Sequence, residues 1–283
     1  MVDPVARVRA VRVPLTGPAE ALERAVPEEV PVALVHDGTT YAVMLATPSD
    51  LEDFAVGFSL TEKVIAAPDE IREFEVVEHD EGIELRMWLT PEAGGRVRER
   101  RRLTVGGTAC GLCGVESLAV AVAPATRVAG ELHVPPDAIH RLLTALGPAQ
   151  ELSRATRATH AAGFWTPADG LVAVREDVGR HNALDKLVGA VARSGIRGAD
   201  GVVVVTSRVS VEMVQKTAAL GATILVAVSA PTALALRAAE AAGLTLVAVA
   251  RSDSFELFTH PGRILADADA DAAGAPETLV HVA

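Results

Sequence analysis

The only two cysteines of the chain stand three positions apart, in Cys110-Gly111-Leu112-Cys113-Gly114. A cysteine attacks as its thiolate, and nearby cations or a helix N-terminus lower the thiol pKa. Arg96, Arg98, Arg100, Arg101 and Arg102 lie just upstream, and a helix is predicted to begin near Val115. Both features favour the thiolate if the chain folds them towards it. Gly106, Gly107, Gly111 and Gly114 remove side-chain bulk around the sulfurs. The stretch Leu103 to Gly114 reaches at most ~40 Å when extended. One sulfur could therefore meet a donor outside and an acceptor in a pocket, which is the chemistry of sulfur handling. Taken alone, Cys-x-x-Cys is equally a redox pair, half a zinc site or no site, and the arginine run is equally a solvated face. Two cysteines cannot build a four-thiolate zinc site within one chain. Thioredoxin-like chemistry wants a βαβ context that these glycines do not supply. The zinc-deaminase pattern needs His-x-Glu and then Pro-Cys-x-x-Cys; here Thr108-Ala109 precede Cys110, and His36 is followed by Asp37-Gly38.

The scaffold around this loop is an ordinary globular one. In 283 residues, 49% hydrophobic and 22% charged side chains exclude a disordered chain, and 3% aromatics call for a core of Val, Leu and Ala. The net charge of -11 and pI of about 5.2 exclude a nucleic-acid-coating surface, whose phosphate contacts need a basic field. No basic-then-apolar leader opens the sequence, and no run reaches the ~18 apolar residues of a membrane span. Two cysteines are too few for a secreted disulfide scaffold. The expectation is a reducing cytoplasm, with no nucleic acid and no membrane.

The first ~20 residues, with Pro14, Gly17 and Pro18, read as an arm or edge strand. Pro31 to His36 and Thr40 to Ala46 flank Asp37-Gly38, a hairpin signal. Thr47, Ser49 and Asp50 offer helix-start chemistry for a helix to about Ile65. A second hairpin, Glu73 to Glu78 and Ile83 to Leu89, turns at Asp80-Glu81-Gly82. Arg96 to Gly114 lacks the pattern of a core element and reads as one long loop. A helix over Pro135 to Leu146, ending at Gly147, and paired strands His160 to Thr166 and Leu171 to Arg175 come next. Helices Arg180 to Arg193, Ser210 to Leu220 and Thr232 to Ala242 then alternate with apolar strands Gly201 to Thr206, Thr223 to Val228 and Leu244 to Ala250. That order indicates a partly parallel sheet covered on both faces. The last ~15 residues read as a frayed tail. The chain divides into an N-terminal α+β region, 1–114, and a C-terminal α/β domain, 115–283.

Polar residues mass where strands end and helices begin, a usual ligand mouth. Arg175-Glu176-Asp177-Val178-Gly179-Arg180-His181-Asn182-Ala183-Leu184-Asp185-Lys186 is one such junction; Ser207 to Lys216 and Ser229-Ala230-Pro231-Thr232 are two more. All three are predicted along one sheet edge. Within them, Asp177 is either a ligand group or a helix cap, Arg175 could pair with Glu176, and His181 is a satisfied helix residue or a ligand contact.

In order and spacing, these pieces resemble the FdhD family, accessory sulfurtransferases of formate dehydrogenase. The likeness runs from Glu29-Val30-Pro31-Val32-Ala33-Leu34-Val35 through Cys-Gly-Leu-Cys-Gly, Glu176 to Lys186 and Ser207 to Lys216, to Thr259-His260-Pro261 with Arg263. The resemblance implies a cytidine-deaminase-like αβα sandwich with a smaller N-terminal α+β region, and a homodimer. It also implies that sulfane sulfur from a cysteine desulfurase becomes a persulfide on Cys110 and then passes to the molybdenum of bis-molybdopterin guanine dinucleotide for formate dehydrogenase. Cys113 matches the second loop cysteine, and no metal resident in the protein is implied. By position, the cofactor segment falls on Val249, Ala250, Arg251, Ser252, Asp253 and Ser254, where Arg251 suits a phosphate. A chaperone that only binds and shields the cofactor, or a dithiol-disulfide reductase, are the alternatives. One departure stands out. Family members commonly carry a glycine-containing stretch just before Thr-His-Ala-Ala, whereas here Thr156-Arg157-Ala158 precede Thr159-His160-Ala161-Ala162, so the backbone near His160 is expected to differ.

Overall fold

The computed structural model describes residues 2–104 and 124–264. Strands β1 (Val5–Arg12) and β2 (Glu20–Pro27) form an antiparallel hairpin of their own. β3 (Val30–His36) and β4 (Thr39–Ala46) are followed by α1 (Leu51–Thr61), β5 (Ile71–His79), β6 (Gly82–Leu89) and α2 (Pro91–Thr104). These strands make a four-stranded sheet in the order β4-β3-β6-β5, with β3 and β6 parallel. Val32, Leu34, Ile83, Leu85 and Met87 form its buried face and pack with Phe54, Ala55 and Phe58 of α1.

Downstream lie α3 (Pro136–Ala149), α4 (Glu151–Thr156), β7 (His160–Thr166), β8 (Gly170–Asp177), α5 (Arg180–Ser194), β9 (Val202–Val205), α6 (Val211–Leu220), β10 (Ile224–Ala227), α7 (Ala233–Ala242), β11 (Thr245–Ala248) and β12 (Glu256–Thr259). The sheet order is β12-β11-β10-β9-β7-β8. Its short central strands β9 and β10 are apolar at every position, and β11 departs from this only at Thr245, because both faces are covered. Val203, Val205, Leu225, Ala227, Leu246 and Ala248 pack on the α5–α7 side. Val202, Val204, Ile224, Val226 and Val247 meet Ala138, Ile139, Leu142 and Leu146 of α3 on the other. The result is a mixed α/β fold with a three-layer C-terminal half. β9, β10 and β11 are parallel, and β7 is antiparallel to both β9 and β8. β8, β9, β10 and β11 therefore all end on one edge of the sheet, as the three junctions required.

Two of the contacts between the halves set how they join. Helices α1 and α5 cross at glycines: a Cβ on Gly57 would lie 1.7 Å from the Asp185 carbonyl oxygen, and one on Gly189 would lie 1.9 Å from that of Asp53. Beside this crossing, Lys186 Nζ donates to Asp177 Oδ2 at 2.7 Å with both side chains fully buried. Lys186 also donates to the Thr47 carbonyl, and the Thr47 amide donates to Asp177 Oδ2.

Several expectations are corrected. The arginine segment is helical as far as Thr104 rather than a loop. Pro91 opens the helix, arginine is a good helix former, and Ala93 and Val97, one turn apart, are buried. Arg96 Nε donates to the Val64 carbonyl, and its guanidinium pairs with Glu70. Thr47 does not start a helix but joins the two halves, while Asp50 precedes α1 in a left-handed conformation with no side-chain cap; α1 ends at Thr61. The initial arm is half of a hairpin whose second strand, β2, has a helix-like composition. α3 continues past Gly147 to Ala149, and β12 adds an antiparallel edge strand. Arg157 takes φ 59 and ψ 28, a left-handed conformation that suits glycine and costs a residue with a Cβ about 1–2 kcal/mol. The predicted helix at Val115, the boundary at 114 and the C-terminal tail lie outside the described residues.

Breaking a buried pair by removing one partner strands the other charge and costs about 3–5 kcal/mol. Lys186→Met is therefore expected to lower stability by about that amount in urea titrations, and adding Asp177→Asn should recover part of the loss.

Candidate functional site along the sheet edge

Within the polar run that begins at Arg175, most side chains are already spent on structure. Arg175 does not pair with Glu176; it donates to Asp53 at 2.6–2.8 Å and lies 3.4 Å from Asp50. Glu176 accepts the amides of Leu152 and Ser153 and the Thr159 hydroxyl, so it caps α4. Asp177 accepts from the Gly179 amide and from Asn182 Nδ2, besides Lys186 and Thr47. It holds the turn into α5 rather than facing a ligand. Asn182 also donates to the Leu45 carbonyl. Asp185 accepts from Lys216 at 2.8 and 2.9 Å and from the Thr61 hydroxyl at 2.7 Å. Burial pushes the Asp185 carboxyl up, against the pull of Lys216.

Two residues of that run are left over. Arg180 Nε and His181 Nε2 are buried atoms with no hydrogen-bond partner among the described residues. Ser210, at the start of α6, makes no side-chain cap; against the effect of burial, its hydroxyl and the Glu212 amide hold the Glu212 carboxyl below its ordinary value. Glu212 Oε2 comes within 3.9 Å of His181 Nε2, too far for a hydrogen bond. Burial, and then the charges of Arg180 and Lys216, hold His181 down to about 4, with Glu212 opposing. His160, opposite Asp177 in the β7–β8 register, is also lowered, by burial and by Arg180. The next junction is mostly structural: Thr206 Oγ1 accepts the Ala161 amide, Val209 bridges to Pro231, and Thr232 caps α7 through the Ala235 amide.

The segment Val249 to Ser254 follows β11 on the same edge. Val249 has φ 52, a left-handed conformation that is strained for a β-branched residue. The Arg251 amide closes a tight turn onto the Ser254 carbonyl at 2.7 Å. Arg251 Nη1 donates to the carbonyls of Val228 and Ala250, which fixes the guanidinium beside the ends of β10 and β11. Between this segment and α3 lies a cavity of about 310 Å³, lined by Leu146, Gly147, Gln150, Thr206, Ala250, Arg251 and others. Val249, Asp253 and Ser254 are not among its lining residues. The leftover groups of Arg180 and His181 are on the α5–α6 side of the sheet, and the cavity is on the α3 side. Sequence reasoning missed Gln150, Thr206 and α3 as walls, because nothing local in them signals a pocket. Cys110 and Cys113 lie outside the described residues. Among those described, no three His, Cys, Asp or Glu side chains cluster as a metal site, and no helix is long and apolar enough to cross a membrane.

Because His181 is neutral in the folded chain down to about pH 4 but has an ordinary pKa near 6.5 when unfolded, the unfolded chain binds more protons between those values. Stability should therefore fall as pH drops from about 6.5 to about 4. Urea melts across this window should show a shallower fall for His181→Gln than for the unsubstituted chain.

Comparison with known proteins places this geometry. The FdhD/NarQ family model matches residues 27–265. The chain is 53% identical to the sulfur carrier protein FdhD of Agrobacterium fabrum, over 89% of this chain and 92% of the relative. It is 50% identical to the protein of the same name from Cupriavidus necator, over 84% and 83%. A crystal structure from Desulfotalea psychrophila, assigned as a formate dehydrogenase accessory protein, superposes with a TM-score of 0.72 at 24% identity, covering 93% of this chain and all of that one. At that identity it shows the fold. The chain belongs to the FdhD/NarQ family.

Proposed function

We propose that this protein carries sulfur on Cys110, from a cysteine desulfurase to the molybdenum of bis-molybdopterin guanine dinucleotide destined for formate dehydrogenase. The observation that carries this reading is 53% identity, over 89% of the chain, to a relative named a sulfur carrier. A sulfur held covalently on a side chain needs a thiolate, and Cys110 and Cys113 are the chain's only thiols.

In the loading step, the Cys110 thiolate attacks the terminal sulfur of the donor's persulfide. One S–S bond forms, the donor's S–S bond breaks, and the donor's cysteine leaves as a thiolate. Cys110 then bears the persulfide, which is softer and more acidic than a thiol and so suits delivery to a metal. The cargo's nucleotide end is assigned to Val249, Ala250, Arg251, Ser252, Asp253 and Ser254. The adjoining cavity of about 310 Å³ is at the small end of ligand pockets, and Arg251 stands ready for a phosphate. The protein acts as a sulfurtransferase in the reducing cytoplasm, working as a homodimer with the desulfurase and the dehydrogenase as partners.

Intact-mass measurement after incubation with an active cysteine desulfurase and cysteine should show one added sulfur atom per chain, which a reductant removes. Cys110→Ala should abolish the gain. An unchanged mass in the native chain, or an undiminished gain in Cys110→Ala, would contradict the proposal.

A further inference from the structure

Among the described residues, two strand edges are open and opposite in charge. β1 and β2 form a sheet of two strands only. β2 is the strand that rests against α4 (Glu151–Thr156), so β1 presents an open edge. A two-stranded ribbon is at best marginally stable by itself, and this one leaves Val8 and Val11 exposed. β1 carries Arg7, Arg9 and Arg12 and no acid. At the outer edge of the four-stranded sheet, β5 carries Glu73, Glu75 and Glu78, and its Val76 is exposed. Charges on an edge strand guard it against pairing with a like strand. Each of these strands therefore repels its own copy, while the two suit each other.

We infer that β1 of one copy adds as a further strand to the β5 edge of a second copy, and that the exchange is mutual, so that two arms close a two-fold dimer. Side chains alternate between the faces of a strand, which makes the match a stringent one. Aligned in parallel with Arg7 beside Glu73, the strands bring Arg9 to Glu75 and Arg12 to Glu78. The same register sets Val8 by Phe74, Ala10 by Val76 and Val11 by Val77. Main-chain hydrogen bonds supply the affinity of such an added strand, and the side-chain pairs supply its register. The contacts already present are weak competitors. Arg7 lies 3.6 Å from Glu23, and Glu75 lies 3.7 Å from Arg86, each in a pair open to solvent. Two chains of net charge -11 repel one another, and a basic arm on an acidic edge is a contact that offsets this. The inference rests on the homodimer of the proposed function and names the surface that builds it; it needs neither cysteine nor the cavity.

Sedimentation of the full chain at micromolar concentration and low salt tests it. The native chain is expected to be dimeric, and its dimer to weaken as salt is raised. Arg7→Glu with Arg9→Glu, or Glu73→Arg with Glu75→Arg, should each raise the dissociation constant by roughly tenfold or more, since like charges then face each other. An equimolar mixture of the two doubly substituted chains should recover the dimer, because each arm again meets an edge of opposite charge. Misfolding cannot mimic that recovery. A dimer indifferent to both pairs of substitutions, or no recovery on mixing, would overturn the inference and leave the homodimer standing. A monomeric native chain would overturn both, and the mass gain at Cys110 reports sulfur carriage separately.

Discussion

The Asp177–Lys186 pair sets the geometry on which the edge depends. Two charges fully removed from water are tolerated only when their remaining hydrogen-bonding capacity is filled. Here Asp177 receives Lys186, the Thr47 and Gly179 amides and Asn182 Nδ2, while Lys186 is completed by the Thr47 carbonyl and lies 5.9 Å from the centre of the Phe54 ring. The pair therefore does two things at once. It shapes the turn that launches α5, which fixes Arg180 and His181 at the edge, and it joins the N-terminal half to the sheet through Thr47. The crossing of α1 and α5 at Gly57 and Gly189 brings the halves close enough for this joint to form.

A dense run of polar residues at a strand end looks like one ligand site, yet the structure sorts it by what each group already bonds. Arg175, Glu176, Asp177, Asn182, Asp185 and Lys186 hold elements together. Of that run, Arg180 Nε and His181 Nε2 are left without a hydrogen-bond partner among the described residues, while on the other side of the sheet Arg251 lines a cavity. The strain at Val249 belongs to this second group, since a left-handed valine persists only where its surroundings enforce it.

Much of the architecture was legible from alternating patterns, because the central strands are apolar but for Thr245 and their helices are amphipathic, so the C-terminal order and the shared edge followed directly. The two early hairpins turned where Asp37-Gly38 and Asp80-Glu81-Gly82 indicated. Elements stabilised by few apolar contacts were not legible. Among the described side chains of α2 the buried apolar ones are Ala93 and Val97, and β2, rich in Ala, Glu and Leu, shows no strand pattern. Side-chain roles were hidden for another reason: the partners of Thr47 and Asp177 lie some 130 positions apart, a pairing that local pattern cannot express. The left-handed Arg157 shows another case, a conformation suited to glycine taken by a residue whose type gives no sign of it.

The proposed function separates the edge assigned to the cargo from the thiol assigned to sulfur carriage, and that separation is open to direct measurement. Formate dehydrogenase activity should be followed as it is matured with the chain carrying Cys110→Ala and Cys113→Ala together, with guanine-nucleotide binding measured on the same preparation. The account predicts undiminished nucleotide binding and no active dehydrogenase. Full activity from the doubly substituted chain would show that it only shelters the cofactor, and would contradict sulfur carriage.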